Sequence, residues 1–207
     1  MNGDSAVMKV ETGKKYSWAD YLSWPEWERW ELIKGEPFDM SPAPARTHQQ
    51  ILGELFRQIA NYLVDKSCEV YMAPFDVKLS PEGDDEEPTV LQPDLIVNCD
   101  SEKWTRTGLK GCPALVLEIL SPSTALRDRK VKFDLYSRSG VREYWIADPE
   151  GSVIEVYEQK EGETGSLRRK GAYGPGDKLG VGILPELMVD LDRVFPGQLE
   201  LSGTDNH

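Results

Sequence analysis

Two acidic residues stand inside apolar, strand-like stretches of this sequence. Asp94 lies in "LQPDLIVN" (91–98), and Glu118 lies in "ALVLEILSPST" (114–124). An ionised carboxylate in a core is costly unless a cation or hydrogen bonds compensate its charge. Two such acids on neighbouring strands repel each other, so the pair favours binding of a divalent cation. The alternative is that both acids face solvent at the strand ends or pair with arginine.

The types of the available ligands indicate which cation such a site would bind. Carboxylate oxygens are hard ligands, and the sequence offers no pair of neighbouring histidines. This combination favours Mg2+ or Mn2+ over zinc.

The segment after the second acidic stretch supplies a basic residue. In "SPSTALRDRKVKFDLYSRSG" (121–140), helical spacing places Lys132 on one face with Leu135 and Tyr136, whereas Lys130 faces water. A lysine that points inward here requires a carboxylate or a substrate anion. The alternative is a lysine whose aliphatic stem covers the core while its charge reaches solvent.

Strands and helices alternate along the chain that must position these residues. Ser17 has the Ser-x-x-Asp form of a helix start, and apolar residues recur at helical spacing over 47–64. The remaining predicted elements are strands over 69–79, 90–98 and 114–120, a helix over 126–139, and a hairpin of 142–149 with 152–159. We therefore predict a single α/β domain over residues 1–207, with a central mixed β-sheet flanked by helices and loose tails at 1–16 and 201–207.

Composition and charge exclude some classes of protein. No apolar run is long enough for a transmembrane helix, and the first residues lack the pattern of a signal peptide. The net charge of −12 disfavours general binding to phosphate backbones. Residues 103–142 nevertheless carry nine Lys or Arg against three Asp or Glu. Both a local basic surface and scattered solvated charges agree with this distribution.

The cysteines bear on the compartment. Cys68, Cys99 and Cys112 are odd in number and widely spaced, which predicts free thiols in a reducing cytoplasm and no disulfide framework. We therefore expect a cytoplasmic protein that does not contact a membrane.

Several of these stretches resemble known nucleases. "PD" followed by "LEIL" resembles the PD-(D/E)xK superfamily, and the string "EILSPST…D…K…Y…GV.EYW..DP" resembles the Uma-two family of bacterial restriction-endonuclease-like proteins. "WELIKGEPFDMSPAPARTHQ", "QPDLIV" and "LMVDLDRVF" are also similar, and together these stretches span most of residues 17–195. The resemblance implies a restriction-endonuclease-like core, one divalent-metal site and hydrolysis of DNA phosphodiester bonds.

The resemblance also implies roles for individual residues. Asp94 and Glu118 would be catalytic acids that ligate Mg2+ or Mn2+, and the Ile119 carbonyl would be a further ligand. Glu31 matches the acid of the family string "ELI.GE" and would approach the metal directly or through water.

One position departs from the superfamily pattern. The catalytic lysine usually stands two residues after the acid of the strand, where this chain has Leu120. Lys132 matches the lysine of the Uma-two family, and its place on the predicted helical face selects it independently.

Two further residues are candidates for auxiliary or substrate-contacting roles. His48 falls in a similar stretch, on the apolar face at the start of the predicted helix, where a hydrogen-bonded core histidine is the alternative. Tyr136 would either hydrogen-bond the site or pack in the core.

Three functional hypotheses remain open on the sequence. The first is a metal-dependent endonuclease acting on DNA. The second is a catalytically inactive nuclease fold that binds nucleic acid or a protein partner, which the acidic charge and Leu120 favour. The third is a metal-dependent hydrolase of another phosphate ester. A homodimer is expected from its frequency among soluble proteins.

Overall fold

A computed structural model describes residues 10–11, 13–25, 27–40, 43–79, 84–160, 163 and 165–195. Its helices are α1 Trp18–Leu22, α2 Arg46–Leu63, α3 Ala125–Arg127, a π-helix Asp128–Lys132, α4 Phe133–Ser139 and α5 Leu191–Val194, with a 3-10 turn at Ser101–Lys103. The first seven strands are β1 Trp30–Ile33, β2 Glu36–Asp39, β3 Glu69–Met72, β4 Asp76–Lys78, β5 Val90–Leu91, β6 Leu95–Asn98 and β7 Gly108–Lys110. The later strands are β8 Leu115–Ile119, β9 Glu143–Asp148, β10 Val153–Gln159, β11 Leu167–Tyr173, β12 Lys178–Gly180 and β13 Met188–Asp190.

Within these described ranges the strands form two larger sheets and a small one. The central sheet has the order β11-β10-β9-β8-β6-β3, and it is mixed because β8 and β9 are parallel while its other pairs are antiparallel. A second sheet has the order β2-β1-β5-β4-β7, and β12 pairs with β13. The prediction of a mixed α/β fold with flanking helices is confirmed.

The two faces of the central sheet are covered by different parts of the chain. α2 buries Ile51, Leu52, Leu55 and Ile59 against the inward residues of β6, β8 and β9, such as Leu117. On the opposite face, Val116 and Ile146 pack with Tyr136 of α4. Alternate residues of β8 therefore point to α2 and to α4, as the two-residue repeat of a strand requires. Glu118 lies on the α4 side with Val116.

The predicted helices form where their capping and periodicity place them. Ser17 caps α1 in a capping box with Asp20, and α2 occupies nearly the predicted range. Gly140 ends α4 in the left-handed region with φ 90°, which a residue without Cβ adopts readily. The hairpin predicted around residue 150 is also confirmed, as β9 and β10.

Two predicted strands are each divided between the two large sheets. The strand predicted over 69–79 becomes β3 and β4, and the strand predicted over 90–98 becomes β5 and β6. Pro74, which follows a cis peptide bond, and Pro93 stand at the two crossings. Proline has no backbone N–H to continue a ladder, so each run leaves one sheet and enters the other at that residue.

The expectation of three free thiols is wrong. Cys68 and Cys99 form a disulfide, and Cys112 is free. The cause lies in the register of β3 against β6, because Glu69 is paired with Asn98 and the next residue on each side is a cysteine. The thiol argument for a reducing compartment therefore loses its basis.

Parts of several predictions concern residues outside the described ranges. Most of the predicted N-terminal tail and all of 201–207 lie there, whereas Tyr16 is buried and its backbone N–H donates to the Gly35 carbonyl. Among the described residues, none of the helices combines the length and the apolar character needed to cross a membrane.

Candidate active site

The two acids that the sequence singles out meet at one end of the central sheet. Asp94 directly precedes β6, and Glu118 is the fourth residue of β8. Because Leu95 pairs with Leu117 in the antiparallel ladder, Asp94 lies across from Glu118. Oδ2 of Asp94 accepts a hydrogen bond of 2.7 Å from the backbone N–H of Ile119. The structure therefore brings together Asp94, Glu118 and Ile119, the three residues of the predicted metal site.

The ammonium group of Lys132 lies among buried carboxylates. Its Nζ atom is 2.9 Å from Oε1 of Glu118 and 2.8 Å from Oε1 of Glu31. Oδ1 of Asp128 is a third neighbour at 3.7 Å. The exposed fraction is 0% for Glu31, 3% for Glu118, 2% for Asp128 and 1% for Lys132. This is the positive group that the buried position of Glu118 requires.

A π-helical turn presents Asp128 and Lys132 to the site together. The backbone N–H of Phe133 reaches the carbonyl of Asp128, five residues back, which is the hydrogen bond of a π-helix. Lys130 and Val131 of the same turn are exposed. The predicted separation of Lys132 from Lys130 is thus observed.

Sequence reasoning did not select Asp128 as a site residue. Asp128 stands four residues before Lys132, and residues at that spacing are neighbours on a helix. This four-residue spacing from Lys132 is the signal in the sequence that could have identified Asp128. No comparable signal marks Gln92, whose backbone N–H donates to Oε1 of Glu31 over 2.9 Å.

Glu31 reaches the site from the second sheet. It lies in β1, where Leu32 pairs with Val90 of β5, so Gln92, directly after β5, lies one residue beyond the position across from Glu31. The side chain of Gln92 in turn donates to Asp76 over 2.9 Å. The junction of the two sheets therefore fixes the position of Glu31.

Tyr136 both packs in the core and contacts the site. Its ring is fully buried, and its hydroxyl donates to Oε1 of Glu118 over 2.7 Å. The same Glu118 oxygen thus accepts from Tyr136 and Lys132. Tyr144, on the adjacent strand β9, donates to the backbone carbonyl of Asp128 over 3.2 Å.

His48 contacts the other acid. Its Nε2 atom is 3.2 Å from Oδ2 of Asp94, and its buried Nδ1 atom has no hydrogen-bond partner among the described residues. The side chain is 12% exposed. His48 therefore holds Asp94 from the first turn of α2, while Ile119 holds it from β8.

Burial and mutual repulsion shift the proton affinities of this cluster. Burial raises the pKa of Glu118 well above its usual value, and the nearby acids add to this effect, while Lys132 opposes it. Burial likewise raises the pKa of Asp128, again against the effect of Lys132. Burial alone would lower the pKa of Lys132, but Glu118, Glu31 and Asp128 raise it above its ordinary value. The lysine therefore stays charged.

The donor atoms of the cluster are oxygens, the chemical type that hard divalent cations prefer. Three carboxylates, those of Glu31, Glu118 and Asp128, surround one ammonium, so negative charge is in excess whenever they are ionised. Asp94, across from Glu118, adds a fourth carboxylate beside them. Oε2 of Glu31 and Oδ1 of Asp128 are buried without a hydrogen bond among the described residues. Oxygen donors of this type suit Mg2+ or Mn2+.

The ligand set expected from the sequence contains two acids and a carbonyl. No group of three or more His, Cys, Asp or Glu side chains in the described part of the chain is arranged to hold a metal ion. A set with two such side chains and the Ile119 carbonyl is a different arrangement, and it stays a prediction.

Known proteins share this sequence pattern and this fold. Residues 18–192 match the model of the Uma2 family, whose description is "Putative restriction endonuclease". Two uncharacterised proteins of Synechocystis sp. are similar: slr1290 is 27% identical over 71% of this chain and 76% of its own length, and sll1609 is 28% identical over 76% and 88%.

A solved structure has a similar fold. The crystal structure of "a putative nuclease belonging to DUF820" from Anabaena variabilis superposes with a TM-score of 0.66 at 19% identity, over 87% of this chain and 98% of that protein. The family match covers most of the chain and includes every candidate site residue. The chain therefore belongs to the Uma2 family of restriction-endonuclease-like proteins.

Proposed function

We propose that this protein is a divalent-metal-dependent endonuclease that hydrolyses phosphodiester bonds of DNA. The observation that carries the proposal is the buried cluster of Glu31, Glu118 and Asp128 around the Lys132 ammonium, beside Asp94 at the end of the central sheet. Burying several acids around one cation costs folding free energy, so the presence of this cluster suggests a purpose other than stability. Perturbed carboxylates grouped with a lysine are typical of catalytic sites.

In the proposed site Asp94, Glu118 and the Ile119 carbonyl would hold Mg2+ or Mn2+. A bound divalent ion supplies Lewis-acid stabilisation of the phosphate and lowers the pKa of the attacking water. The hydrogen bond from Ile119 and the 3.2 Å contact with His48 position Asp94, and the hydrogen bonds from Tyr136 and Lys132 orient Glu118. These partners would hold the ligands in place before the cation arrives.

Lys132 is the proposed catalytic cation. Its raised pKa keeps it protonated, so it would stabilise negative charge that develops on the phosphate and orient the water. It cannot act as a general base while it is charged. Glu31, which contacts Lys132 from the second sheet, would share this role by holding the ammonium in the site.

Leu120 stands where the superfamily usually has its catalytic lysine, and in the proposed site Lys132 supplies that charge from a helical turn. Leu120 is partly buried against the apolar cluster that contains Val116 and Tyr136, so its position serves packing. The ammonium group at Glu118 comes from the π-helical turn instead. A charged group at the same acid can do the same electrostatic work from either element.

Cleavage of supercoiled plasmid and of single-stranded DNA tests the proposal. We expect cutting with Mn2+, none with EDTA, and none with the Glu118→Gln variant, which keeps an acceptor for Tyr136. Glu150→Gln, a change of the same type at an exposed turn, should cut like the wild type. Absence of cutting by a wild type that binds Mn2+ would contradict the proposal and favour the non-cleaving alternative.

A further inference from the structure

Asp128 is a buried acid that the proposed reaction does not use. Its Oδ1 atom has no hydrogen bond among the described residues. That oxygen is the one that faces Lys132 at 3.7 Å. A buried carboxylate oxygen without a partner costs free energy, so its retention at this position needs a reason.

The reason suggested by the geometry is that the Lys132 ammonium and a divalent cation would compete for the Glu118 carboxylate. Oε1 of Glu118 accepts from both Lys132 and Tyr136, so the acid proposed to ligate a divalent cation is already paired with an ammonium group. A divalent cation at Glu118 would repel the Lys132 ammonium, which lies 2.9 Å from that acid. Lys132 must then exchange its contact with Glu118 for another contact inside a closed, buried space.

We propose that Asp128 is a positioning residue, whose Oδ1 atom replaces Glu118 as a hydrogen-bond partner of the Lys132 ammonium when the divalent cation binds. This inference rests on the proposed metal-dependent function. Shortening the present 3.7 Å to a hydrogen bond of about 2.8 Å requires a shift of about 1 Å, which side-chain rotation of a lysine provides. Asp128 and Lys132 belong to the same π-helical turn, so their backbones stay in register during the exchange.

The other neighbours of the ammonium suit this task less well. Glu31 already contacts the ammonium through Oε1 at 2.8 Å, so it is a partner that Lys132 keeps and does not replace the contact with Glu118. Asp128 lies outside the proposed ligand set, and Tyr144 donates a hydrogen bond to its backbone carbonyl. Lys132 would therefore remain in the site, close to where the phosphate charge develops, when Glu118 ligates the metal.

A double-mutant cycle on Mn2+ affinity tests the exchange without measuring activity. Calorimetric titration with MnCl2 would compare the wild type, Asp128→Asn, Lys132→Met and the double variant. We expect Asp128→Asn to weaken Mn2+ binding about tenfold or more when Lys132 is present, as changes behind metal ligands do. In the Lys132→Met background, where no ammonium needs a new partner, the same change should have a much smaller effect.

The outcomes separate this inference from the proposed function. Equal losses in the two backgrounds, or no loss in either, would overturn the exchange while leaving a metal-binding protein. A wild type that binds no Mn2+ would overturn both. Asp134→Asn is the matched control, because Asp134 lies on the adjoining helix, is exposed and pairs only at the surface with Arg138 among the described residues.

A second measurement keeps the inference testable if the Lys132→Met variant does not fold. A crystal structure of the wild type with Mn2+ should place Nζ of Lys132 within hydrogen-bonding distance of Oδ1 of Asp128, and farther than the present 2.9 Å from Oε1 of Glu118. An unchanged Lys132–Glu118 contact in the Mn2+-bound protein would overturn the exchange.

Discussion

The Nζ atom of Lys132 lies 2.9 Å from Oε1 of Glu118, although the two residues are 14 positions apart and belong to a helical turn and a strand. In the superfamily pattern the corresponding lysine usually follows the acid on the same strand, at the position that Leu120 occupies here. The spatial relationship between acid and ammonium is present while the linear motif is not. The candidate site is therefore recognised by its geometry.

Removing the charge of Asp94 should abolish tight binding of Mn2+. Asp94→Asn keeps an acceptor for the Ile119 N–H but removes the anionic ligand, so we expect the affinity to fall by more than about 100-fold, the upper range for changes behind a ligand. Calorimetric titration measures this, with circular dichroism to verify folding. Asp65→Asn, at an exposed position after α2, is the matched control. Retention of the wild-type Mn2+ affinity in Asp94→Asn would contradict the assignment of Asp94 as a metal ligand.

Tyr136→Phe should destabilise the fold without disrupting the core. The ring stays, but the hydroxyl that donates to Glu118 over 2.7 Å is lost. Hydrogen bonds to charged groups contribute about 1.5–3 kcal/mol, and we expect a loss in this range in urea unfolding. Tyr71→Phe removes a hydroxyl from an exposed ring and should change stability by less than about 0.5 kcal/mol. Equal effects of the two changes would show that the Tyr136 hydroxyl does not stabilise Glu118.

Glu143 should make stability depend on pH. Burial raises the pKa of Glu143 above its ordinary value of 4.5, although the Trp145 indole N–H and the Ile183 N–H donate to its carboxylate. A raised folded-state pKa means that the stabilising contribution is complete below 4.5 and is lost as the pH rises through the folded value.

The matching variant is Glu143→Gln, which does not titrate. The free energy of unfolding of the wild type relative to this variant should therefore decrease from acid to neutral pH. Urea unfolding at a series of pH values measures the difference, and the constant loss of one acceptor in the variant does not affect its slope. A difference in the free energy of unfolding that is constant or increases with pH would contradict a raised pKa of the buried Glu143 carboxyl.

Local patterns predicted most of the elements and both acids of the site. The apolar periodicity of α2 and the Ser-x-x-Asp helix start at Ser17 depend on nearby residues, and the structure has both. Asp94 and Glu118 were noticeable because acids are costly in apolar strands.

The features that sequence reasoning missed depend on contacts between distant parts of the chain. Crossing of the chain between two sheets at Pro74 and Pro93 follows from strand pairing, which local propensity does not encode. The Cys68–Cys99 bond likewise results from the register of β3 and β6. The strand β11, with its polar "LRRKGAY", forms because it pairs with β10.

Comparing Lys132 with Lys130 tests the central claim most directly. Both lysines are on the π-helical turn, but Lys132 lies among the buried acids and Lys130 is exposed. With Mn2+ and supercoiled plasmid, Lys132→Gln should cut about 100- to 1,000-fold more slowly than the wild type, the usual loss when one charge-stabilising donor is removed. Lys130→Gln should cut at the wild-type rate. Equal rates for the two folded variants would contradict the assignment of Lys132 as the catalytic cation and of the buried cluster as the active site.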